Sequence, residues 1–104
     1  MNSPPEPEPL FDAQFEGCVI EWRGPAPYLF IAVPDGLVDD LRHAARLASY
    51  GWGVVPVTAM VDGIAYTTSL FPRSKGYVLP VRKTVQKDAG VGFGSMVSVR
   101  ITVS

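Results

Sequence analysis

The feature of the sequence that most restricts its fold is a run of alternating apolar residues that ends in an Asp-Gly pair. Every second position of the run is apolar: Val55, Val57, Ala59 and Val61. Such alternation is typical of a strand with one buried face, and the Asp62-Gly63 pair directly after it is a strong signal for a two-residue hairpin turn. The sequence therefore predicts a strand over residues 53–61 and an antiparallel partner over residues 64–71.

Ten glycines and ten prolines favour many short elements joined by turns. Further strands are expected over residues 10–22, 28–33, 77–79 and 96–103. In the first of these the apolar positions change phase at Gly17 and Cys18, so that Ile20 and Trp22 become the inward set, and a bulge or bend at Gly17 would explain the change. Residues 28–33 are apolar on both faces, which predicts a central strand covered on two sides.

Two helices are expected among the strands. Residues 35–50 carry apolar side chains on one stripe at helical spacing: Leu37, Val38, Leu41, Ala44, Ala45 and Ala48. Asp35 is the expected N-cap, and Gly51 is the expected stop. A short helix over residues 80–89 begins at Pro80 and ends at Gly90. The predicted fold class is mainly β (all-β to α+β), a small, partly open barrel of about six or seven strands with the longer helix plugging one end.

Length and charge bound the domain count and the partners. At 104 residues the chain fits a single domain over residues 10–104, after a disordered Pro- and Glu-rich tail at residues 1–9. A net charge of −1 makes nucleic acid a disfavoured partner without excluding it. The sequence has no apolar stretch of membrane-spanning length, no visible signal peptide and a single cysteine, Cys18. We therefore expect a soluble cytoplasmic protein that does not enter a membrane. It is expected to be a monomer or a homodimer.

Three stretches of the sequence together have the pattern of a known family. They are Phe15-Glu16-Gly17 with Ile20-Glu21-Trp22, Tyr28-Leu29-Phe30 and Val33-Pro34; Thr68-Ser69-Leu70-Phe71-Pro72 with Gly76-Tyr77 and Leu79-Pro80-Val81; and the helix–Gly–strand segment at 82–103. They resemble the DUF1905 family, small bacterial domains of unknown function. The resemblance implies a compact barrel of the double-split type and no established activity. Residues 78–103 are also similar, at the level of the fold alone, to AbrB-type swapped-hairpin DNA-binding proteins.

The strongest candidate site combines hydroxyl groups at a strand end, a basic loop and a basic helix start. Its residues are Thr67, Thr68, Ser69, Arg73, Lys75, Tyr77, Arg82 and Lys83. Arginine offers phosphate or carboxylate a planar set of N–H donors, and lysine offers a point charge. The backbone N–H groups at the start of a helix can bind the same anion. Five basic residues and no acidic one lie between Arg73 and Lys87. Solvated residues on a loop and an exposed helix face would give the same composition, and that alternative stays open.

The other chemically notable residues of the sequence give weaker support for a functional site. Gly90 to Gly94 imitates a dinucleotide-binding fingerprint but follows a predicted helix instead of a strand, so a turn is expected. His43 is expected on the exposed face of the long helix beside Asp39, and Cys18 is expected as a small buried hydrophobe. One Cys and one His do not supply a zinc site, and no cofactor or catalytic residue is predicted. Trp22, Tyr28, Trp52 and Tyr66 are expected as core, or else as pocket wall, with Trp22 and Tyr66 the wall candidates.

These observations leave three hypotheses for the function. The first is a cytoplasmic binding module that holds an anionic small molecule or an acidic peptide through the basic loop and the helix start. The second is a nucleic-acid-binding barrel of the AbrB-like kind, which uses the same basic residues on phosphates. The third is an enzyme with an unrecognised site around Thr67, Thr68 and Ser69, although the sequence offers no acid–base pair or nucleophile for it.

Overall fold

The computed structural model describes residues 8–22, 28–48 and 53–104. In those ranges the strands are β1 (Phe11–Trp22), β2 (Tyr28–Ala32), β3 (Val55–Val61), β4 (Ile64–Arg73), β5 (Gly76–Val81) and β6 (Met96–Val103). The helices are α1 (Asp35–Leu47), between β2 and β3, and α2 (Lys83–Ala89), between β5 and β6. The predicted mainly β class with two helices is confirmed. Residues 1–7 of the predicted tail, Gly51 and Trp52 lie outside the described residues.

The strands form a closed antiparallel barrel in the order β1-β2-β5-β4-β3-β6. The long strand β1 closes it, because β1 has two partners along its length. From Phe11 to Cys18 it pairs with β6, and from Val19 to Trp22 it pairs with β2. This closure differs from the partly open barrel expected above, because the alternating pattern shows that a strand is half-buried without showing that one strand pairs with two neighbours.

Strand β1 keeps one alternation throughout, and the predicted change of phase at Gly17 is wrong. Gly17 pairs with Val97 and Cys18 with Met96 in an uninterrupted ladder, without a bulge. Val19 is buried, whereas Trp22 is 39% exposed on the outside of the barrel. The outer wall is itself apolar at this end of β1, and that composition imitates a switch of faces.

Helix α1 buries the stripe that its spacing predicts. Val38, Leu41 and Ala44 join the core, and the helix packs on β1 and β5. Its start differs from the prediction by one residue, because Pro34 is the N-cap and Asp35 lies in the first turn. Pro34 cannot cap with its side chain, but its carbonyl oxygen accepts a hydrogen bond from the Leu37 N–H at 2.9 Å. No helix in residues 8–22, 28–48 and 53–104 is long and apolar enough to cross a membrane.

Strand β5 continues through Pro80, where the sequence analysis expected the second helix to begin. Pro80 pairs with Phe30 of β2, while the ladder with β4 ends at Val78. The Pro80 carbonyl points to the β4 side and accepts a hydrogen bond from the Tyr66 hydroxyl at 2.9 Å. The missing N–H of Pro80 points the same way, to a side where no ladder bond remains to be made, so proline fits within the strand. Helix α2 therefore begins three residues later, at Lys83.

The predicted hairpin at Asp62-Gly63 is confirmed. Both residues have positive φ, 46° and 87°, as the favoured two-residue turn requires. The Asp62 side chain has a second role that the dipeptide signal does not reveal. Its Oδ1 accepts a hydrogen bond from the Ser98 N–H at 2.8 Å, while the Asp62 N–H donates to the Ser98 carbonyl at 2.9 Å. The turn thereby fixes β6 beside the β3–β4 hairpin.

Candidate functional site

A groove of about 610 Å³ runs over the outside of the barrel beside the β4–β5 turn. Strands β1, β2 and β5 form its floor, and the turn and the first residue of α1 form its rim. The side chains that its chemistry depends on are Ile20, Phe30 and Val78 on the floor and Asp35, Arg73 and Lys75 at the rim. Its volume lies within the range of small-molecule sites, roughly 300–1,000 Å³.

The floor is apolar because β2 and β5 carry apolar side chains on both faces of the sheet. Ile31 and Leu79 point into the core, so their neighbours Phe30 and Val78 point outwards. Phe30 is nonetheless only 2% exposed. The prediction that residues 28–33 are covered on both faces is confirmed at Phe30 and Ile31 and is wrong at Tyr28 and Ala32, which are exposed. The outer cover at this point consists of side chains instead of a second layer of secondary structure.

Arg73, the last residue of β4, lies across the aromatic side chains of this wall. Its guanidinium carbon is 4.5 Å from the centre of the Trp22 ring and 4.9 Å from the centre of the Phe30 ring. Both distances are within the range of a cation–π interaction. The guanidinium group lies over both rings, and the N–H groups at its edges can donate hydrogen bonds to a ligand.

The β4–β5 turn is fixed to helix α1 from the other side. Nη2 of Arg42 donates a hydrogen bond to the backbone carbonyl of Lys75 at 3.0 Å, and Nη1 of Arg42 lies 3.5 Å from a carboxylate oxygen of Asp39. Ser74 adopts φ of 54°, which lets the turn reverse tightly between Arg73 and Gly76. The contacts of Arg42 position the turn and leave the side chains of Arg73 and Lys75 at the rim of the groove.

The predicted basic residues do not form a single cluster. Arg73 pairs with Gly76 at the start of β5, whereas Arg82 and Lys83 follow the end of that strand. Gly76 and Val81 are five positions apart, a distance of about 17 Å along an extended strand. The structure therefore brings Arg73 and Lys75 together at the groove and places Arg82 and Lys83 at the start of α2, towards the other end of β5.

The predicted hydroxyl groups also lie apart from the groove. Thr67 and Thr68 line a small depression of about 230 Å³ on the wall formed by β3, β4 and β6, and Ser69 pairs with Pro56 in the same ladder. Tyr77 is 9% exposed and belongs to the core, although part of it borders the groove. Tyr66 packs against the core, and burial of its hydroxyl raises the pKa of Tyr66 to about 12, an effect that nearby Arg82 partly opposes.

Three further sequence expectations have structural outcomes. Cys18 is exposed, which corrects the expectation of a buried thiol, since the unbroken alternation of β1 points it outwards. His43 is exposed on α1 as predicted, while Asp39 pairs with Arg42. The glycine-rich segment after α2 is a turn that leads into β6, with Gly90 and Gly94 at positive φ. No cluster of three or more His, Cys, Asp or Glu side chains suited to a metal ion occurs in the described part of the chain.

With this geometry established, comparison with known proteins assigns the family. The family model described as a domain of unknown function (DUF1905) matches residues 15–101. The chain belongs to the DUF1905 family. The match includes every residue that lines the groove, from Ile20 to Val78. No curated protein matches the chain.

The groove of this DUF1905 domain joins two chemical capacities. The Arg73 guanidinium group offers hydrogen-bond donors of fixed direction. Lys75, two residues further along the chain, offers a second positive charge. The floor offers apolar area that small ligands bury on binding. Asp35 contributes one negative charge on the α1 side of the rim. Such a site is suited to a molecule with an anionic end and an apolar body.

Sequence reasoning missed Asp35 and Arg42 as neighbours of the basic loop in this DUF1905 chain. Arg42 reaches a carbonyl that lies 33 residues further along the chain. No local pattern encodes such a contact, because it depends on how α1 packs over β5. Phe30 was noted only as part of an apolar strand, although the apolar character of both faces of β2 was the available signal for an outward-facing floor.

Proposed function

We propose that this DUF1905 chain is a bacterial, cytoplasmic binding module for a small anionic molecule, which the groove beside the β4–β5 turn holds. The observation that carries the proposal is the guanidinium of Arg73, fixed on the rings of Trp22 and Phe30 at the rim of an apolar groove. An arginine positioned in this way has lost much of its conformational freedom before a ligand arrives, which lowers the entropic cost of binding.

The charges around the groove support an anionic ligand. Within the described ranges the ion pairs are Arg42 with Asp39 and Arg100 with Asp12. Neither Arg73 nor Lys75 takes part in them, so a ligand anion would not have to displace one of those carboxylates. Asp35 adds a negative charge at the α1 side of the rim, which favours ligands whose own negative charge is confined to one end.

Apolar area in the floor supports a small molecule over a polynucleotide. The half-buried Ile20 and the exposed Ala32 give the ligand body apolar surface to bury, whereas a DNA duplex is bound mainly through its phosphates. An acidic peptide remains the other ligand with the required charge. The single cysteine of the chain is the support for a reducing cytoplasm.

The test is a thermal-shift screen of the full chain against phosphates, nucleotides, small carboxylates, an acidic peptide and a short DNA duplex. A ligand at about 100 times its dissociation constant stabilises by roughly 2.7 kcal/mol, a clear shift in Tm for a domain of this size. We expect small anions to give the shift, and Arg73→Gln and Lys75→Gln to abolish it. Arg82→Gln and Lys83→Gln are matched controls, because they remove the same charge near the other end of β5.

The controls decide between the two basic regions. Loss of the shift in the Arg82 and Lys83 variants, with the Arg73 and Lys75 variants unaffected, would overturn the groove as the site. A shift given only by the duplex and weakened steeply by salt would favour the nucleic-acid hypothesis. Curves that stay flat for every compound would overturn the proposed function.

A further inference from the structure

We infer that the ligand of the groove carries a planar aromatic ring beside its anionic group, and that the ring stacks on the exposed ring of Tyr28, beside the Trp22 ring that Arg73 covers. This inference rests on the proposed function and specifies the chemical class of its ligand. We call Trp22, Tyr28 and Phe30 the aromatic wall. Its arrangement, its exposure and its relation to Arg73 each support the inference.

The aromatic wall is a consequence of strand register. Trp22 of β1 lies directly opposite Tyr28 of β2, and Phe30 follows two residues later on the same face. The ring centres of Trp22 and Tyr28 are 6.3 Å apart with planes 21° from parallel, and those of Tyr28 and Phe30 are 6.0 Å apart at 50°. These are normal distances for aromatic pairs, so the rings form one continuous surface.

The outer edge of the wall is open to solvent. Trp22 is 39% exposed and Tyr28 is 49% exposed, whereas Phe30 at the groove floor is covered. Two other exposed rings in the described part of the chain lie elsewhere, Phe71 on β4 and Phe93 in the turn before β6. Trp22 and Tyr28 lie on strands that carry the groove, where a ligand ring would find a partner to stack on.

Arg73 connects the anion site to the aromatic wall. Its guanidinium group lies on the Trp22 ring, so an anion bound at the edge of that group lies beside the wall. Rings that stack or tilt against one another have centres roughly 4.5–7 Å apart, which is the same scale as the distance from the Arg73 guanidinium to Trp22. A molecule whose anion is attached to its ring directly or through one or two bonds can contact Arg73 and the wall together.

The experiment compares matched pairs of probes that differ only in aromaticity. Benzoate is compared with cyclohexanecarboxylate, and phenyl phosphate with cyclohexyl phosphate, by isothermal titration calorimetry on the full chain. We expect the aromatic member of each pair to bind about tenfold more tightly, since stacking on one aromatic side chain is worth a factor of roughly 5 to 150. Tyr28→Ala should remove the preference by weakening the aromatic member more than the saturated member, because Trp22 and Phe30 still support Arg73.

Phe93→Ala is the matched control, since Phe93 is an exposed aromatic residue, at 69%, that lies outside the wall in the turn before β6. A preference lost in that variant and kept in Tyr28→Ala would overturn the placement of the ring. Equal binding of both members, abolished by Arg73→Gln, would overturn the aromatic inference and leave the anion site intact. No binding by any probe, together with a flat thermal-shift screen, would overturn both.

Discussion

At the scale of single residues, Gly17 shows how closely the inner face of the barrel is packed. A Cβ atom at this position would lie 2.7 Å from Cγ2 of Ile31 and 3.4 Å from the Phe15 ring. Ile31 is fully buried, so its side chain has little room to move away. We predict that Gly17→Ala lowers the free energy of unfolding by about 1–3 kcal/mol, as overpacking of a core does.

Urea unfolding followed by circular dichroism checks this, with Gly36→Ala as the control. Gly36 lies in the first turn of α1, and a Cβ there would meet nothing within 4 Å. That variant should be as stable as the original chain or more so, because alanine favours the helix. A Gly17→Ala variant with unchanged stability would show that Ile31 relaxes freely.

Residues of β1 also show why a sequence pattern misleads where both walls of a strand are apolar. Trp22 and Ile20 are apolar because they belong to the outer surface around the groove, and their spacing imitates a change of the buried face. Cys18 was assigned to the interior for the same reason. Alternation identifies a strand reliably, but it identifies the inner face only when the outer face is polar.

At the scale of elements, the Tyr66 hydroxyl joins β4 to β5 beyond the point where their backbone ladder ends. Tyr66→Phe leaves the Pro80 carbonyl without this donor, and we predict a loss of about 1 kcal/mol in the free energy of unfolding at pH 7. Burial raises the pKa of Tyr66 to about 12, above its ordinary value of 10.0. The folded state therefore keeps the proton longer than the unfolded state, and this contribution to stability is lost as pH rises from 10 towards 12.

Urea unfolding at pH 7 and at several values above pH 10 separates the contribution of the Tyr66 hydrogen bond from the effect of Tyr66 ionisation. The stability difference between the original chain and Tyr66→Phe should narrow as pH rises, because only the original chain has this hydroxyl to titrate. Tyr28→Phe is the control, since Tyr28 is 49% exposed on the outer surface. A difference that stays constant above pH 10 would contradict the assigned role of the hydroxyl.

Elements differ in how far the sequence predicts them. The bounds of β6 and the β3–β4 turn follow from alternation and turn chemistry, which are local properties, and the structure confirms both. The end of β5 does not follow, because proline at Pro80 is a normal first residue of a helix and is acceptable in this strand only where the β4 ladder stops. The same six-residue strand separates Arg73 from Arg82, so the candidate site could be predicted only in part.

At the scale of the whole molecule, the first and last strands close the barrel beside each other. Val103 of β6 pairs with Phe11 of β1, and its carbonyl accepts a hydrogen bond from the Leu10 N–H at 2.8 Å. Neighbouring Thr102 pairs with both Asp12 and Thr58. Strand β6 therefore lies between β1 and β3, and closure of the ring depends on contacts between residues far apart in the sequence.

Removal of residues 102–104 should consequently weaken the whole barrel instead of one end. Val103 is fully buried, and loss of its side chain together with the Leu10 hydrogen bond should lower the free energy of unfolding by about 3 kcal/mol. Because small domains unfold cooperatively, we expect one urea transition at a clearly lower midpoint. Removal of Ser104 alone is the control and should change little, since Ser104 is exposed. A separate early transition in the shortened chain would show that β1 and β6 open independently, and that the groove on β1, β2 and β5 does not depend on closure of the ring.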